Sequence, residues 1–204
     1  MTGPDGEPSE PHESGAEASV SFVAGQPAKL VLLVAAFSIA FVLDQSTKFW
    51  VGSVIEIDAP PWPVIDGFFY LSHMRNAGTA LGFFEHWPVE VRRVFFSLLA
   101  ALAGWVVVLF YRGLAPGDRL NGLALGCIVG GGLGNLLDRL MYGEVIDFLH
   151  FRFGGAWSFP DFNVADVFIV IGVMMLMIEL LVSEGVARAE VIDAGATVER
   201  ADGD

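Results

Sequence analysis

The sequence is poor in the residues that build disulfide scaffolds and metal sites. Its single cysteine, Cys127, lies in an apolar run, which excludes an intramolecular disulfide and is typical of a core residue. The histidines show no spacing typical of metal ligands, and no HExxH motif occurs. The chain is therefore predicted to need neither a disulfide framework nor a metal cofactor.

Charged residues are also scarce. They make up 17% of the 204 residues, below the level of about a quarter in a typical soluble domain. Positively charged residues are the scarcer kind: the chain has 11 Lys and Arg against 24 Asp and Glu, which gives a net charge of −13. A chain this acidic is a poor candidate for binding nucleic acid.

Apolar residues are abundant instead, at 54% of the chain with a mean hydropathy of +0.58, and they are concentrated in blocks. A helix needs about 20 such residues, each rising about 1.5 Å, to cross a bilayer. The blocks predict an all-α membrane protein with four transmembrane helices. The predicted spans are Lys29–Trp50, Val94–Tyr111, Leu120–Leu137 and Phe162–Val182.

The two ends of the chain differ from this middle part. Residues 1–27 are rich in Gly, Pro, Ser and Glu, which predicts a disordered acidic tail, and they lack the basic start of a signal peptide. Residues 184–204 form a second acidic tail. Residues 28–183 are predicted to be a single four-helix domain.

The third span carries glycines at every fourth position, which places them on one helix face. Such a ridge lets a second helix backbone approach closely, and close helix packing is the prediction for it. The ridge consists of Gly122, Gly126, Gly130 and Gly134.

Two long connections separate the spans. Residues 52–91 cannot span, because prolines at 60, 61 and 63 break a helix; Phe68–Leu71 and Leu81–Phe84 could be short strands, with a turn near Asn76 and Gly78. Up-and-down order puts this connection and residues 138–162 on the same membrane face. The polar residues at the ends of the spans then converge there: Asp44, Lys48, Asn76, Asn135, Asp138, Arg139, Asp147, Asn163 and Asp166.

Asp147, in the loop between the third and fourth spans, and Asp166, one turn inside the fourth span, are the best candidates for a catalytic pair. Two carboxylates close together in an apolar setting do not both ionise easily, and a shared proton lets one act as base while the other polarises a carbonyl. The same pair could equally bind a cation or cap a helix. Asn163 lies three residues before Asp166 on one helix face, so it could orient that carboxylate, contact substrate, or simply bond the helix terminus.

Other charged residues have structural interpretations. Asp44 and Lys48 are four apart on a helix and are expected to form an ion pair. Asp138 is expected to pair with the adjacent Arg139, and Asn135 shares the helix face of Asp138. Two further acids of this region, Asp161 and Glu144, are expected to be solvated.

Five ordered blocks of this sequence resemble those of one known family. They are DQSTK at Asp44–Lys48, NAGTALGF at Asn76–Phe83, GGLGNLLDR at Gly131–Arg139, VIDF at Val145–Phe148 and FNVAD at Phe162–Asp166. They look like the blocks of the lipoprotein signal peptidases, or signal peptidase II, which are bacterial membrane aspartyl proteases. The resemblance extends over roughly residues 28–183.

The resemblance implies a function as well as a fold. It implies cleavage of prolipoprotein signal peptides before a diacylglyceryl-modified cysteine, with Asp147 and Asp166 as the catalytic pair and no cofactor. Its implied supporting residues are Asp44, Lys48, Asn76, Gly78, Asn135, Asp138, Arg139 and Asn163. It also implies a small β-cradle and a short helix on the outer membrane face.

The same resemblance implies a location in the bacterial cytoplasmic membrane, with cytoplasmic termini and an outward-facing site. The expected partners are diacylglyceryl-modified prolipoproteins and membrane lipids. The raw count of Lys and Arg disagrees with this orientation, because more of them lie on the side of the long connections. Several of those cations are expected to belong to the site.

Two other functions compete with the peptidase. Carboxylates near a membrane often mark ion paths, so a proton or cation transporter is the main alternative. A non-catalytic assembly factor for lipoproteins is the second. The clustering of acids at one end, with few polar groups in the middle of the spans, favours the peptidase over the transporter.

Overall fold

A computed structural model describes residues 16–78, 84, 86–115, 117–153 and 157–201. Four helices and four strands are present in this part of the chain. The helices are α1 (Ala16–Val54), α2 (Val89–Gly113), α3 (Arg119–Tyr142) and α4 (Val164–Ala201). The strands are β1 (Trp62–Ile65), β2 (Phe69–Asn76), β3 (Val145–Phe153) and β4 (Trp157–Ser158).

All four helices are long and apolar enough to cross a membrane, which confirms the predicted multi-pass architecture. Their membrane-crossing parts are Ala28–Val54, Val89–Gly113, Arg119–Tyr142 and Val164–Gly185. The first three extend beyond the predicted spans at both ends, whereas the fourth begins two residues later and ends three residues later than predicted.

The third helix lies at the centre of the bundle, and its glycines allow the backbone of α1 to pack closely against it. A side chain at Gly126 would collide with the backbone carbonyl of Leu33 on α1, and one at Gly130 would collide with that of Phe37. The predicted close packing along the glycine ridge is therefore confirmed. The backbones of α1 and α3 approach so closely that their polar ends are held in direct contact.

The end of α3 directs the chain into the sheet. Gly143 follows the last helical residue in a left-handed conformation (φ 79°), and its N–H donates to the carbonyl of Arg139. Glycine adopts this conformation without steric cost, which is why it so often ends helices. The chain reverses here, so that β3 starts two residues later beside the end of α3.

The four strands form one antiparallel sheet in the order β1-β2-β3-β4. Met74 pairs with Asp147 and Asn76 pairs with Val145, so both long connections contribute to it. This confirms that the two connections lie on the same face. It also corrects one prediction, because Asp147 lies on the strand Val145–Phe153 rather than in a loop.

The predicted strands, tails and short outer helix agree with the structure to different degrees. The strand predicted at Phe68–Leu71 overlaps β2, whereas Leu81–Phe84 lies outside the described residues apart from Phe84. Helix α1 begins at Ala16, so part of the predicted disordered tail is helical, and α4 continues through the second tail to Ala201. Within the described ranges there is no helix beyond α1–α4, and the expected short outer helix stays a prediction.

Candidate active site

Asp147 lies on β3 with its side chain buried at 2% exposure. Its two carboxylate oxygens accept from two amides, Asn76 Nδ2 at 2.7 Å and Asn163 Nδ2 at 2.7 Å. Because β2 and β3 are paired and α4 starts beside them, one donor comes from each neighbouring element. The carboxylate is held in a single orientation between two connections of the chain.

Asp166 is in the first turn of α4, where it forms a reciprocal cap with Asn163. The N–H of Asp166 donates to Asn163 Oδ1 at 3.0 Å, and the N–H of Asn163 donates to Asp166 Oδ2 at 3.2 Å. This is the capping-box arrangement, which satisfies two N–H groups that a helix start otherwise leaves free. The other oxygen of Asp166 accepts from Asn135 Nδ2 at 2.8 Å.

Asn163 therefore brings the two carboxylates together. Its backbone and Oδ1 bond Asp166 while its Nδ2 bonds Asp147. Two of the three interpretations of this residue agree with these hydrogen bonds: it bonds the helix terminus and it orients the acids. The structure thus places side by side the two aspartates that lie 19 positions apart in the sequence.

The protonation of Asp147 follows from its surroundings. The pKa of its carboxyl is raised from 3.8 to about 7, mainly by burial and also by the negative charge of Asp166, while the hydrogen bonds from Asn76 and Asn163 and the charge of Lys48 act in the opposite direction. At pH 7 the Asp147 carboxyl is accordingly about half protonated. One member can then donate a hydrogen bond while the other accepts a proton.

Lys48 is the buried cation beneath the pair. Its ammonium contacts Asp44 Oδ2 at 2.8 Å, Asp138 Oδ2 at 2.9 Å and Asn135 Oδ1 at 2.9 Å, which uses its three N–H donors. The predicted pair with Asp44 is confirmed. The expected pair of Asp138 with Arg139 is wrong, because Asp138 accepts from Lys48 and from the N–H of Ile146 at 3.2 Å instead.

Asp44 ties α1 to the start of α4. Its Oδ1 accepts from the N–H of Ala165 at 2.9 Å, so a carboxylate meets the positive end of the helix that carries Asp166. Gln45 donates to Asp44 and to Asp138 Oδ1 at 3.0 and 3.3 Å. Sequence reasoning missed this glutamine, although it lies within the DQSTK block and its amide could have been expected to serve two buried carboxylates.

Asn76 is oriented by the turn that follows it. Gly78 N–H donates to Asn76 Oδ1 at 2.9 Å, which leaves Nδ2 facing Asp147. Gly78 has φ 93°, and a side chain there would collide with the ring of Phe96 on α2. The remainder of the NAGTALGF block, residues 79–83, lies outside the described residues.

Arg139 lies at the opening of the site towards α2. Its guanidinium stacks on Phe96 at 4.4 Å and donates to the carbonyl of Asn135 at 3.1 Å. Its charge is within electrostatic range of Asp147 and Asp166. The guanidinium is thus positioned beside the carboxylates without forming a direct ion pair with either among the described contacts.

The prediction that Asp161 and Glu144 are solvated is wrong for Asp161. Its carboxylate is only 17% exposed, and it accepts from Ser72 Oγ and His150 Nδ1, both at 2.5 Å. Glu144 is one-third exposed and contacts Arg92 at 3.4 Å. The Ser72–His150–Asp161 cluster holds the segment just before Asn163 against the sheet. The strand β3 could have been predicted from the alternation of polar and aromatic residues in His150–Phe153.

An apolar groove faces the membrane between α2, α3 and α4. Its upper part, of about 290 Å³, is bordered by Phe96, Asn135 and Arg139, and its lower part, of about 360 Å³, continues along Gly104 and Gly132. The groove therefore leads from the bilayer to the residues around the aspartates. In the part of the chain that the structure covers, no group of three His, Cys, Asp or Glu side chains is arranged to hold a metal ion.

Comparisons with known proteins agree with one another. Residues 36–182 match the family model described as signal peptidase (SPase) II. The lipoprotein signal peptidase of Syntrophus aciditrophicus (strain SB) is 36% identical over 152 residues, covering 74% of this chain and 93% of the relative. That of Desulforapulum autotrophicum is 38% identical over 152 residues, with the same coverage of 74% and 93%.

A solved structure also matches. It is described as a bacterial membrane enzyme obtained by the in meso method at 1.9 Å resolution, with a TM-score of 0.64 and 28% identity. The match covers 73% of this chain and 92% of that one. The helical bundle and its sheet are thus shared with a membrane enzyme.

Proposed function

Because this chain belongs to the signal peptidase II family, a family of lipoprotein signal peptidases, we propose that Asp147 and Asp166 are its catalytic residues. Its reaction is the removal of signal peptides from diacylglyceryl-modified prolipoproteins by cleavage before the lipidated cysteine. The observation that carries this proposal is the shared contact of the two carboxylates with Asn163, beside a groove that opens to the bilayer.

In this proposal one aspartate acts as the proton donor and the other acts as the general base. Asp147, with a pKa of about 7, holds the proton and hydrogen-bonds the scissile carbonyl oxygen. Asp166 takes a proton from water as the water oxygen bonds to the carbonyl carbon. When the tetrahedral intermediate collapses, the peptide C–N bond breaks and the proton that Asp166 took from water passes to the leaving nitrogen. The aspartic type of this protease follows from that assignment.

The surrounding residues hold the pair and balance its charge. Asn76, Asn135 and Asn163 donate to the carboxylates and keep them from moving apart. Lys48 offsets part of the negative charge from below. Arg139, at the mouth of the groove, is placed to contact the substrate backbone or the oxygen that becomes negative in the transition state.

The substrate enters sideways in this proposal. Its apolar signal segment and acyl chains lie in the groove between α2, α3 and α4, while water comes from the sheet side. The site is at the outer face of the bacterial cytoplasmic membrane, with both termini and the α2–α3 turn on the cytoplasmic side. The Lys and Arg surplus on the sheet side does not oppose this orientation, because Lys48 and Arg139 belong to the site.

The transporter alternative is not favoured. Family membership speaks for the peptidase, and the described buried ion pairs lie at the sheet end of the bundle. The third helix meets α1 through glycines along its length, which leaves no polar path there. An ion path would need titratable groups spaced through the membrane.

The proposal is tested by cleavage of a synthetic prolipoprotein peptide in detergent or nanodiscs, with and without the diacylglyceryl group. Asp147→Asn and Asp166→Asn are expected to lower kcat at least about a thousandfold, since each removes one half of the acid–base pair. Asp66→Asn is the matched control, because Asp66 is an exposed aspartate of the same face. Cleavage by either dyad variant at the wild-type rate would refute the assignment.

A further inference from the structure

A second cavity, of about 790 Å³, lies on the opposite side of the sheet from the aspartates. Successive residues of a strand point to opposite faces. Asn76 and Asp147 meet on the catalytic face, whereas their neighbours Arg75 and Ile146 line this cavity. The ends of α1 and α3 form its other walls, so neither catalytic aspartate borders it.

Two residues that line this cavity each carry a buried polar atom without a hydrogen-bond partner. His73 is 3% exposed, and its Nδ1 donates to the carbonyl of Ile55 at 2.8 Å, which leaves Nε2 without a hydrogen-bond partner. Arg75 Nη1 is likewise buried without a hydrogen-bond partner. Such atoms cost about 1–3 kcal/mol each if nothing satisfies them, so a ligand with a matching polar group is the physical solution.

The four charged residues of the lining balance in formal charge, so the case for an anion rests on Arg75. Lys48 and Asp138 also line it, but they pair with each other at 2.9 Å. Glu56 lies on the exposed rim. Among the described contacts Arg75 has no anionic partner, and its guanidinium only stacks on the Tyr142 ring at 4.5 Å.

The rim of the cavity points to an amphiphile rather than to a soluble anion. Phe49 is 81% exposed and Met141 57%, both at the level where the membrane helices meet the sheet. Trp50 and Tyr142 are about half exposed beside them. Aromatic side chains of this kind mark the depth of lipid headgroups, and the exposed apolar side chains there face acyl chains.

We propose that this cavity binds the headgroup of an anionic glycerophospholipid. Arg75 donates to the phosphate, and His73 Nε2 accepts from a headgroup hydroxyl. The acyl chains leave past Phe49 and Met141 into the bilayer. A lipid bound here would press on the face of β2 and β3 opposite to Asn76 and Asp147, and would hold the sheet at a fixed depth in the membrane.

The test is a titration of the delipidated full-length chain with two probes, followed by native mass spectrometry. Dioleoylphosphatidylglycerol, which carries hydroxyls, is expected to bind about tenfold more tightly than dioleoylphosphatidylcholine, which has none. Arg75→Gln is expected to weaken both lipids about tenfold. His73→Asn keeps a donor for Ile55 but removes the Nε2 acceptor, so it should abolish only the preference between them.

Two further variants control for misfolding. Arg152→Gln is matched to Arg75→Gln, because Arg152 also stacks on a tyrosine but is exposed and already bonded to His150; it should leave lipid binding unchanged. Gly52→Leu fills the cavity, since a Cβ at Gly52 reaches ordinary contact distance from His73. It should abolish binding even if Arg75→Gln cannot be purified.

Three results would overturn the proposal. They are equal binding of the two lipids by the wild-type chain, unchanged lipid binding in Gly52→Leu, and unchanged lipid binding in Arg75→Gln. As a separate arm, sn-glycerol 3-phosphate is added without lipid. If it binds as tightly as the phospholipid, the site recognises a soluble phosphate ester and the lipid assignment is wrong.

Discussion

Replacing Lys48 by methionine should affect both stability and the pH dependence of cleavage. Lys48 is 2% exposed and contacts Asp44 and Asp138 at 2.8 and 2.9 Å. Methionine keeps the length of the side chain but leaves two buried carboxylates without their cation. Removing one partner of a buried ion pair costs about 3–5 kcal/mol, so the free energy of unfolding should fall by about that amount.

The effect on activity has a predictable sign. The positive charge of Lys48 lowers the pKa of Asp147, against the burial that raises it to about 7. Without that charge the pKa of Asp147 rises further, so the alkaline limb of the kcat profile should move to higher pH. A purely structural role for Lys48 would lower the amount of folded enzyme without moving this limb.

Lys29 provides the matched control, because it is a second buried lysine on the same helix at 2% exposure. It lies at the other end of the bundle, where its ammonium donates to the carbonyls of Tyr111 and Leu114, both at 3.2 Å. Lys29→Met leaves no carboxylate unpaired, so its cost should be smaller, at about 1–3 kcal/mol, and the pH profile should stay unchanged.

The assays are unfolding of the purified chain in mixed detergent micelles with increasing sodium dodecyl sulfate, and initial cleavage rates between pH 5 and 9. In addition, Asp138→Asn in the Lys48→Met background should recover part of the lost stability, because it removes one of the two stranded charges. The reasoning fails if the two lysine variants lose equal stability and the pH profile of Lys48→Met matches the wild type.

The remaining predictions concern Asp147 and the groove. Cleavage should decline as pH rises through about 7, where Asp147 loses its proton; a rate that keeps rising to pH 9 would contradict its assigned role. The folded-state pKa lies above the unfolded value of 3.8, so this group's contribution to stability is complete below pH 3.8 and is lost by about pH 7. The inactive variant Asp147→Asn should therefore have a free energy of unfolding up to about 4 kcal/mol above that of the wild type at pH 8. The cost of placing its amide against two asparagine donors reduces this gain. At pH 4 no such gain should appear. Gly132→Phe should raise KM for a lipidated peptide about tenfold, because the new side chain fills the groove. Gly185→Phe is the control and should leave KM unchanged, because Gly185 also lies in open space but at the far end of α4. Equal kinetics of the two variants would exclude the groove as the substrate path.

Much of the architecture can be read from the sequence because it depends on local composition. Runs of about 20 apolar residues are sufficient to predict transmembrane helices, since lipid leaves the backbone no other partner than itself. Segment order then brings the span ends together on one face. The ion pair of Asp44 with Lys48 and the packing of Gly126 against α1 follow from helical periodicity in the same way.

The pairing of side chains across elements could not be read in this way. Asp138 and Arg139 are adjacent in sequence, yet consecutive residues on a helix point in different directions. Asp138 instead forms its ion pair with Lys48 on α1. Asp147 was assigned to a loop because a strand of nine residues between two spans gives only a weak local signal. Its hydrogen bonds exist only once β2 supplies Asn76.

By itself, the sequence determined the four spans and the convergence of the polar residues at one end, and it indicated Asp147 and Asp166 as the pair that we propose to be catalytic. The tertiary structure decided the partners: Asn163 between the two carboxylates, Gln45 beside Asp44, and the Asp161 cluster that was expected to be solvated. The reason is physical. Burial in lipid depends on the sum of local hydropathies, whereas a buried hydrogen bond depends on the position of two groups to within a few tenths of an ångström.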